Sequence, residues 1–88
     1  MIRRHAVVHG NVQGVFFRDT ARRQAESRGV AGWISNRPDG TVEAVFEGDE
    51  EAVESMLRFC RQGPRGAEVD RVEVREEEPE GLTGFAIR

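Results

Sequence analysis

The sequence contains no lysine, no tyrosine and a single cysteine, and these absences exclude several kinds of chemistry. Without lysine, the chain has no side chain that forms a Schiff base or acts as an amine nucleophile. Cys60 alone allows neither an intramolecular disulfide nor a cysteine-based metal cage. Because Cys60 stands in an apolar helical pattern, the sequence predicts a packed thiol and not a nucleophile.

The chain also lacks a long apolar run and an excess of positive charge. No stretch approaches the about 18 apolar residues that span a bilayer, and the apolar run after the basic N-terminus is too short for a signal peptide. The formal net charge is −3, which argues against binding nucleic acid through bulk electrostatics. We therefore expect a cytoplasmic protein that binds neither membranes nor nucleic acid. Its 88 residues predict one domain over residues 1–88.

The sequence does contain a regular alternation of strand and helix patterns. Apolar alternation and turn residues predict strands over residues 2–9, 30–37 and 41–47, around residues 69–74 and at residues 85–87. A period of 3.6 predicts helices over residues 17–28 and from Asp49 to a stop at Gly63-Pro64. This order predicts an α+β fold, a ferredoxin-like split βαβ sandwich with a four- to five-stranded, mainly antiparallel sheet and two helices on one face.

The same patterns predict several details of the sheet. Gly10 is expected to end the first strand, and His5 and His9 to face solvent, roughly 13 Å apart and too distant to share a metal. The strand over residues 41–47 is expected to be half-buried, with one apolar and one largely polar face. The acidic run over residues 76–80 is expected to be a solvated loop.

The connection between the first strand and the first helix is the strongest candidate for a binding site. Gly10 and Gly14 bracket residues 11–13, and Arg18 follows in the first turn of the predicted helix. Such a loop can direct successive backbone N–H groups inward to form an anion-binding nest, and the helix start adds free N–H donors. The Arg18 guanidinium adds a permanent charge and a planar fork that matches two phosphate oxygens. These features favour a phosphate site.

Spacing alone leaves a second interpretation of this loop open. The two glycines would then only shape a β-to-α connection, and Arg18 would pair with a surface carboxylate. The loop carries neither the G-x-G-x-x-G pattern of dinucleotide-binding folds nor the glycine-lysine-serine/threonine ending of a P-loop. Asn36, taken by itself, is typical of a turn before Arg37-Pro38.

Three segments together resemble the acylphosphatase family. Residues 8–18 (VHGNVQGVFFR) look like the family's first signature. Residues 32–36 (GWISN), followed by residues 40–42 (GTV) and Gly48, resemble its second signature. Residues 85–88 (FAIR) are similar to the way such chains end. The match covers nearly the whole chain, and two motifs in the right order are more specific than either motif alone.

The resemblance implies an activity and a set of site residues. The family hydrolyses acyl phosphates to a carboxylate and inorganic phosphate, without a metal or other cofactor. Arg18 matches the arginine that binds the phosphoryl group, and Asn36 matches the asparagine that holds the attacking water. The phosphate cradle corresponds to the backbone of Val12, Gln13, Gly14, Val15 and Phe16. We expect a monomer that binds a small acyl phosphate and phosphate or sulfate anions. The Gln13 side chain is a further candidate donor to substrate.

Three other functions remain to be weighed against this one. RNA-recognition domains share the strand order, but they need stacking aromatics and a basic sheet. A metal-carrying ferredoxin-like domain would need a C-x-x-C motif, which is missing. The third alternative is an acylphosphatase-like domain that binds phosphate or carbamoyl phosphate within a larger, zinc-containing maturation or transfer complex. Because the sequence ends at Arg88 and has no cysteine pairs, a free-standing enzyme is the favoured expectation.

Overall fold

The computed structural model describes all 88 residues as a five-stranded sheet with two helices packed on one face. The strand order in the sheet is β4-β1-β3-β2-β5. No helix is long and apolar enough to cross a membrane. In chain order the elements are β1 (Ile2–Asn11), α1 (Phe17–Ser27), β2 (Ala31–Asn36), β3 (Val42–Gly48), α2 (Glu50–Gln62), β4 (Glu68–Glu77) and β5 (Phe85–Ile87).

This architecture confirms the predicted ferredoxin-like α+β fold. β1, β2, β3 and β4 pair antiparallel, and only the short β5 runs parallel to its neighbour β2. β5 is held beside β2 by two further hydrogen bonds, from Gly32 N to Gly84 O and from Arg88 N to Ile34 O. The final strand therefore becomes an edge of the sheet next to the end of β2.

The core lies between the sheet and the two helices. Helix α1 buries Phe17, Ala21 and Ala25, which the i, i+4, i+8 spacing predicted. Helix α2 packs against it, and the rings of Phe17 and Phe59 lie 5.2 Å apart. The thiol of Cys60 is fully buried, and this burial raises its pKa to about 12. The prediction of a packed, unreactive thiol is confirmed.

Two strand boundaries differ from the sequence prediction. β1 continues through Gly10 to Asn11, with a bulge between His9 and Gly10 where the strand pairs with β4. Gly10 lies so close to β4 that an added Cβ would stand 2.1 Å from the carbonyl oxygen of Glu68. The glycine therefore allows close approach of two strands and does not end one.

Strand β4 is also longer than predicted, because it includes the first part of the acidic run. Glu76 and Glu77 lie in β4 opposite Arg4 and Arg3 of β1. The Arg3 guanidinium donates to Glu77 over 2.8 Å. The prediction of a solvated loop was therefore wrong for these two glutamates, since cross-strand arginines stabilise them in the sheet.

Strand β3 is buried on both faces, although its sequence alternates. The face toward the helices holds Val42, Ala44 and Phe46, as predicted, but Val45 and Glu47 on the other face are each only 1% exposed. β3 is a central strand with neighbours on both sides, and on its outer face Glu47 pairs with Arg3 and Glu43 with His5. The alternation in the sequence therefore predicted a half-buried strand, because it does not show which distant side chains lie on the polar face.

The buried carboxylate of Glu47 is held by a set of donors that we call the Glu47 cluster. Arg3 donates to it over 2.6 Å, and the backbone N–H groups of Glu80, Gly81 and Leu82 donate over 3.0 to 3.1 Å. Burial alone would raise the pKa of Glu47, but these hydrogen bonds outweigh it and leave the pKa below its ordinary value. The cluster fixes the connection from β4 to β5.

The two histidines of β1 lie on the outer face of the sheet, each beside a glutamate. His5 is buried, 2.7 Å from Glu43, and its other ring nitrogen lies 3.5 Å from Arg75. His9 contacts Glu73, and this contact lowers the pKa of that carboxyl. The expectation that both histidines face solvent was wrong for His5.

Candidate active site

A cleft opens at the end of the sheet where β1 leads into α1. Its volume is about 290 Å³. The strand-to-helix loop and the first turn of α1 form one side, and the ends of β2 and β5 contribute the remainder. The lining residues are Val12, Gly14, Phe16, Phe17, Arg18, Asp19, Asn36 and Ile87. Arg18 and Asn36, which lie 18 positions apart in the chain, therefore share one cleft.

The loop reaches α1 through two residues with positive φ. Gly14 has φ 77°, and Phe16, directly before the helix, has φ 60° and ψ 26°. A left-handed conformation is uncommon for a bulky residue and is a form of backbone strain found at functional sites. No side chain caps the start of α1. The first N–H groups of the helix are therefore left without a side-chain acceptor, and an anion is the ligand that suits them.

Arg18 lies in the first turn of α1, half-buried, and takes part in none of the ion pairs of the protein. The neighbouring Asp19 contacts Arg22 at 3.1 Å and Arg23 at 3.4 Å instead. The interpretation in which Arg18 pairs with a surface carboxylate is therefore wrong. Its guanidinium fork has no anionic partner within the protein, so it is available to an anion in the cleft.

Asn36 comes to this cleft through the register of the sheet. It is the last residue of β2 and pairs with Val42 of β3, and Val42 pairs in turn with Val8 of β1. The end of β2 therefore lies at the same end of the sheet as the loop that leaves β1. The side-chain oxygen of Asn36 is buried and has no hydrogen-bond partner in the protein. An unpaired buried acceptor costs about 1–3 kcal/mol, so it calls for an explanation.

The Gln13 side chain was a candidate donor to substrate, but in the structure it holds the loop in place. Its Nε2 donates to the backbone carbonyl oxygens of Arg37 at 2.8 Å and Thr41 at 2.9 Å. These bonds join the phosphate-loop candidate to the turn that follows Asn36. The Gln13 amide is thus engaged within the protein, and only its backbone N–H remains a candidate donor.

The other loop residues divide between core and cleft. Val12 is buried in the core, so its side chain anchors the loop while its backbone borders the cleft. The side chain of Phe16 is 80% exposed. Ile87, which sequence analysis placed only in a terminal strand, also lines the cleft. Nothing in its local sequence signals this, because the parallel pairing of β5 with β2 is a long-range feature.

The described residues contain no group of three or more His, Cys, Asp or Glu side chains arranged to hold a metal ion. The charged side chains that line the cleft are Arg18 and Asp19, and its hydrogen-bonding amide is Asn36. Chemically, this set can bind an anion and orient a small polar molecule beside it. It offers no cysteine, serine, threonine or histidine as a nucleophile.

Comparison with known proteins assigns the chain to a family. The acylphosphatase family model matches residues 4–87. An acylphosphatase from Thermococcus kodakarensis is 55% identical over 86 residues, covering 98% of this chain and 94% of the relative. The crystal structure of acylphosphatase from Bacillus subtilis superposes with a TM-score of 0.95 at 37% identity and covers 100% of this chain and 99% of that one.

A larger protein also contains a similar unit. The structure of full-length HypF in its phosphate- and nucleotide-bound form matches with a TM-score of 0.90 at 28% identity. That match covers 99% of this chain but only 12% of the HypF chain. The family model and the relatives matched along almost their whole length agree with the two sequence motifs and with the fold. This chain belongs to the acylphosphatase family.

Proposed function

We propose that this chain is an acylphosphatase that hydrolyses acyl phosphates to a carboxylate and inorganic phosphate in the cleft between the β1–α1 loop and Asn36. In the reaction, a water oxygen forms a bond to phosphorus, and the bond between phosphorus and the acyl oxygen breaks. Phosphoryl transfer of this kind depends mainly on positioning and on stabilising charge, so the reaction does not require a covalent intermediate with the protein.

The phosphoryl group is assigned to Arg18 and to the backbone of residues 12–16. The unpaired guanidinium fork of Arg18 suits two phosphate oxygens. The positive φ values at Gly14 and Phe16 turn the loop toward the uncapped start of α1, where N–H donors and the helix dipole favour negative charge. These donors would stabilise the charge on the equatorial oxygens in the transition state.

The single observation that carries the role of Asn36 is its buried, unpaired Oδ1 beside Arg18 in the same cleft. A carboxamide oxygen accepts a hydrogen bond but does not take up a proton near neutral pH, so Asn36 orients the attacking water and is not a general base. The water donates one hydrogen to Oδ1, which directs an oxygen lone pair toward phosphorus. The unsatisfied acceptor then gains its partner only in the reacting complex.

The leaving group needs no help from an acid. A carboxylic acid has a pKa of about 4, so the carboxylate departs as a stable anion at neutral pH. The water proton passes to a phosphate oxygen of the substrate, which makes the reaction substrate-assisted. If the rate against pH required an enzyme base with a pKa of about 6–7 for a non-titrating substrate, this route would be excluded.

Cofactor use, competing anions, oligomeric state and location follow from the same assignment. The reaction uses no metal or other cofactor, and phosphate and sulfate bind the same loop as competitive anions. The chain acts as one domain over residues 1–88, as a monomer in the cytoplasm. Among its exposed large apolar side chains, two lie at the cleft and the third is Met1, which leaves little apolar surface for an obligate partner.

The deciding experiment is hydrolysis of benzoyl phosphate in the presence of EDTA by the wild type, Arg18→Ala and Asn36→Ala. The wild-type rate should be the same with and without the chelator. Arg18→Ala should raise KM and lower kcat, whereas Asn36→Ala should lower mainly kcat. Full activity in either variant would contradict the site assignment. Loss of wild-type activity in EDTA would contradict the metal-free mechanism.

The alternative is a phosphate- or carbamoyl-phosphate-binding domain that serves a larger complex, as suggested by the match to HypF. It has less support, because the relatives matched along 94% of their own length are named acylphosphatase. Wild-type turnover of free benzoyl phosphate at an enzymatic rate favours the hydrolase. Tight binding of carbamoyl phosphate without turnover would favour the alternative.

A further inference from the structure

The exposed apolar side chains of this protein are concentrated at the cleft. Only three large hydrophobic residues are exposed: Met1 at the N-terminus, Phe16 at 80% and Ile87 at 38%. Phe16 and Ile87 line the cleft that also contains Arg18 and Asn36. Leaving a large apolar side chain in water forgoes about 1.5–3 kcal/mol of burial energy. Phe16 forgoes most of this energy and Ile87 a smaller part, and their position at one cleft indicates a ligand group that covers them.

The backbone of Phe16 supports the same conclusion. Its φ of 60° is a conformation that glycine adopts without penalty, whereas a bulky side chain is strained there. The loop would therefore fold more easily with a glycine at this position. Nor does packing explain the phenylalanine, since its ring lies outside the core while the adjacent Phe17 is buried.

We propose that Phe16 and Ile87 bind the acyl group of the substrate, and that this chain prefers acyl phosphates whose acyl group is neutral, apolar and larger than acetyl, such as an aryl group. The inference rests on the proposed function and adds the class of substrate. The cleft volume is about 290 Å³, close to the lower limit of about 300 Å³ for small-molecule sites. A cleft of this volume can hold an acyl group in addition to a phosphate ion.

The charges of the cleft favour a neutral acyl group. Arg18 is the one cation that lines it and is assigned to the phosphoryl group, so no second cation remains for a carboxylate or phosphate on the acyl chain. The other charged residue is Asp19, which would repel such a group. Arg22 and Arg23, the partners of Asp19, do not line this cleft.

The test compares kcat/KM for benzoyl, acetyl and succinyl phosphates in the wild type, Phe16→Ala, Ile87→Ala and the apolar control Phe16→Leu. Ratios between substrates within one variant, compared across variants, cancel the intrinsic reactivity of each acyl phosphate. The wild type should favour benzoyl over both other substrates. The benzoyl-to-acetyl ratio should fall about tenfold in Phe16→Ala and about threefold in Ile87→Ala, but about twofold or less in Phe16→Leu.

A binding measurement separates this inference from the proposed function. Phenylphosphonate should bind the wild type more tightly than methylphosphonate, and Phe16→Ala should abolish the difference. If both alanine variants keep the wild-type substrate ratio and the wild-type phosphonate preference, the acyl-group assignment is overturned. In that case, loss of turnover in Arg18→Ala would show that the hydrolase assignment itself still stands. If the wild type hydrolyses none of the three substrates, the proposed function fails and this inference fails with it.

Discussion

The protein places an arginine beside free backbone N–H groups in two regions, the Glu47 cluster and the cleft. We call the first the closed site, because a carboxylate of the protein occupies it, and the second the open site. In the Glu47 cluster, Arg3 and three consecutive backbone N–H groups surround a carboxylate that belongs to the protein. In the cleft, Arg18 and the uncapped N–H groups of α1 hold no carboxylate of the protein, because Asp19, which also lines the cleft, contacts Arg22 and Arg23 instead. An arginine with converging amides is therefore not by itself a functional site. The availability of those donors distinguishes the proposed binding site from the structural one.

The largest expected effect concerns the open site. Arg18→Ala should lower kcat/KM for benzoyl phosphate by about 10³- to 10⁵-fold, the range for an arginine that stabilises a transferring phosphoryl group. Arg18→Lys keeps the charge but loses the planar fork, so its loss should be large but smaller than that of the alanine variant. Steady-state kinetics measure both. Arg58→Ala, at an exposed position on α2, is the matched control and should stay within about twofold of wild type.

Substitution in the Glu47 cluster should reduce stability and not activity. Glu47→Ala leaves three N–H groups without an acceptor and removes one of the carboxylates that Arg3 contacts, although the bond from Arg3 to Glu77 remains. The free energy of unfolding should therefore fall by about 3–5 kcal/mol. Urea denaturation followed by circular dichroism measures this loss. Glu47→Gln keeps an acceptor and should lose less. A Glu47→Ala protein within about 1 kcal/mol of wild type would show that the cluster is not structural.

Asn36 tests whether an unpaired acceptor serves function at the expense of stability. Asn36→Ala should reduce kcat about 100-fold, equivalent to about 2.7 kcal/mol, as for loss of one polar group that acts in the transition state. Its stability should be unchanged or slightly increased, because the substitution removes a buried acceptor that lacks a partner. Paired kinetic and thermal-unfolding measurements decide this. A variant that is both active and unstable would contradict the role in water positioning.

Added phosphate should distinguish the cleft from the Glu47 cluster through its effect on stability, without a measurement of activity. Phosphate at 100 times its Kd should stabilise the wild type by about 2.7 kcal/mol, since it binds the folded state only. Arg18→Ala should not respond, whereas Glu47→Gln should respond like the wild type. Thermal unfolding against phosphate concentration, with chloride at matched ionic strength as control, makes the measurement. An equal response in Arg18→Ala would place the anion elsewhere.

The smallest expected effect is the dependence of stability on pH. The folded-state pKa of Glu47 is lowered, from an ordinary value of 4.5. Its contribution to stability is therefore fully present above about pH 4.5 and is lost as the pH falls through the lower folded-state pKa. Urea unfolding between pH 7 and pH 3 should show a shallower decline in Glu47→Gln than in wild type. Identical slopes would mean that other carboxylates dominate acid unfolding.

The sequence predicted most of the fold because its signals are local. The spacing of Phe17, Ala21 and Ala25 defines the buried face of α1, and the Gly63-Pro64 pair ends α2 as predicted. Errors arose where a partner strand determined the outcome. Gly10 lies inside β1 because β4 approaches it closely, and Glu77 is in a strand because Arg3 faces it across the sheet.

The candidate site divides in the same way. Glycine spacing and the helix start made loop residues 10–18 a candidate anion site, since both act within a few residues, but spacing alone left a purely structural role open. The role proposed for Asn36 came only from the resemblance to a family, because an asparagine before Arg37-Pro38 is also typical of a turn. The bond from Gln13 to the turn after β2 and the presence of Ile87 in the cleft had no sequence signal.

By itself, the sequence determined the order of the elements, the helical faces and the glycine-flanked loop that leads into Arg18, because backbone propensity and periodicity act over short distances. Only the tertiary structure decided which arginine remains without a partner. Arg3 and Arg18 are identical in chemistry, but sheet register places Glu47 and Glu77 against the first, while the second takes part in none of the protein's ion pairs. Charge pairing between distant segments, which a linear pattern does not encode, therefore separates the structural arginine from the one available to substrate.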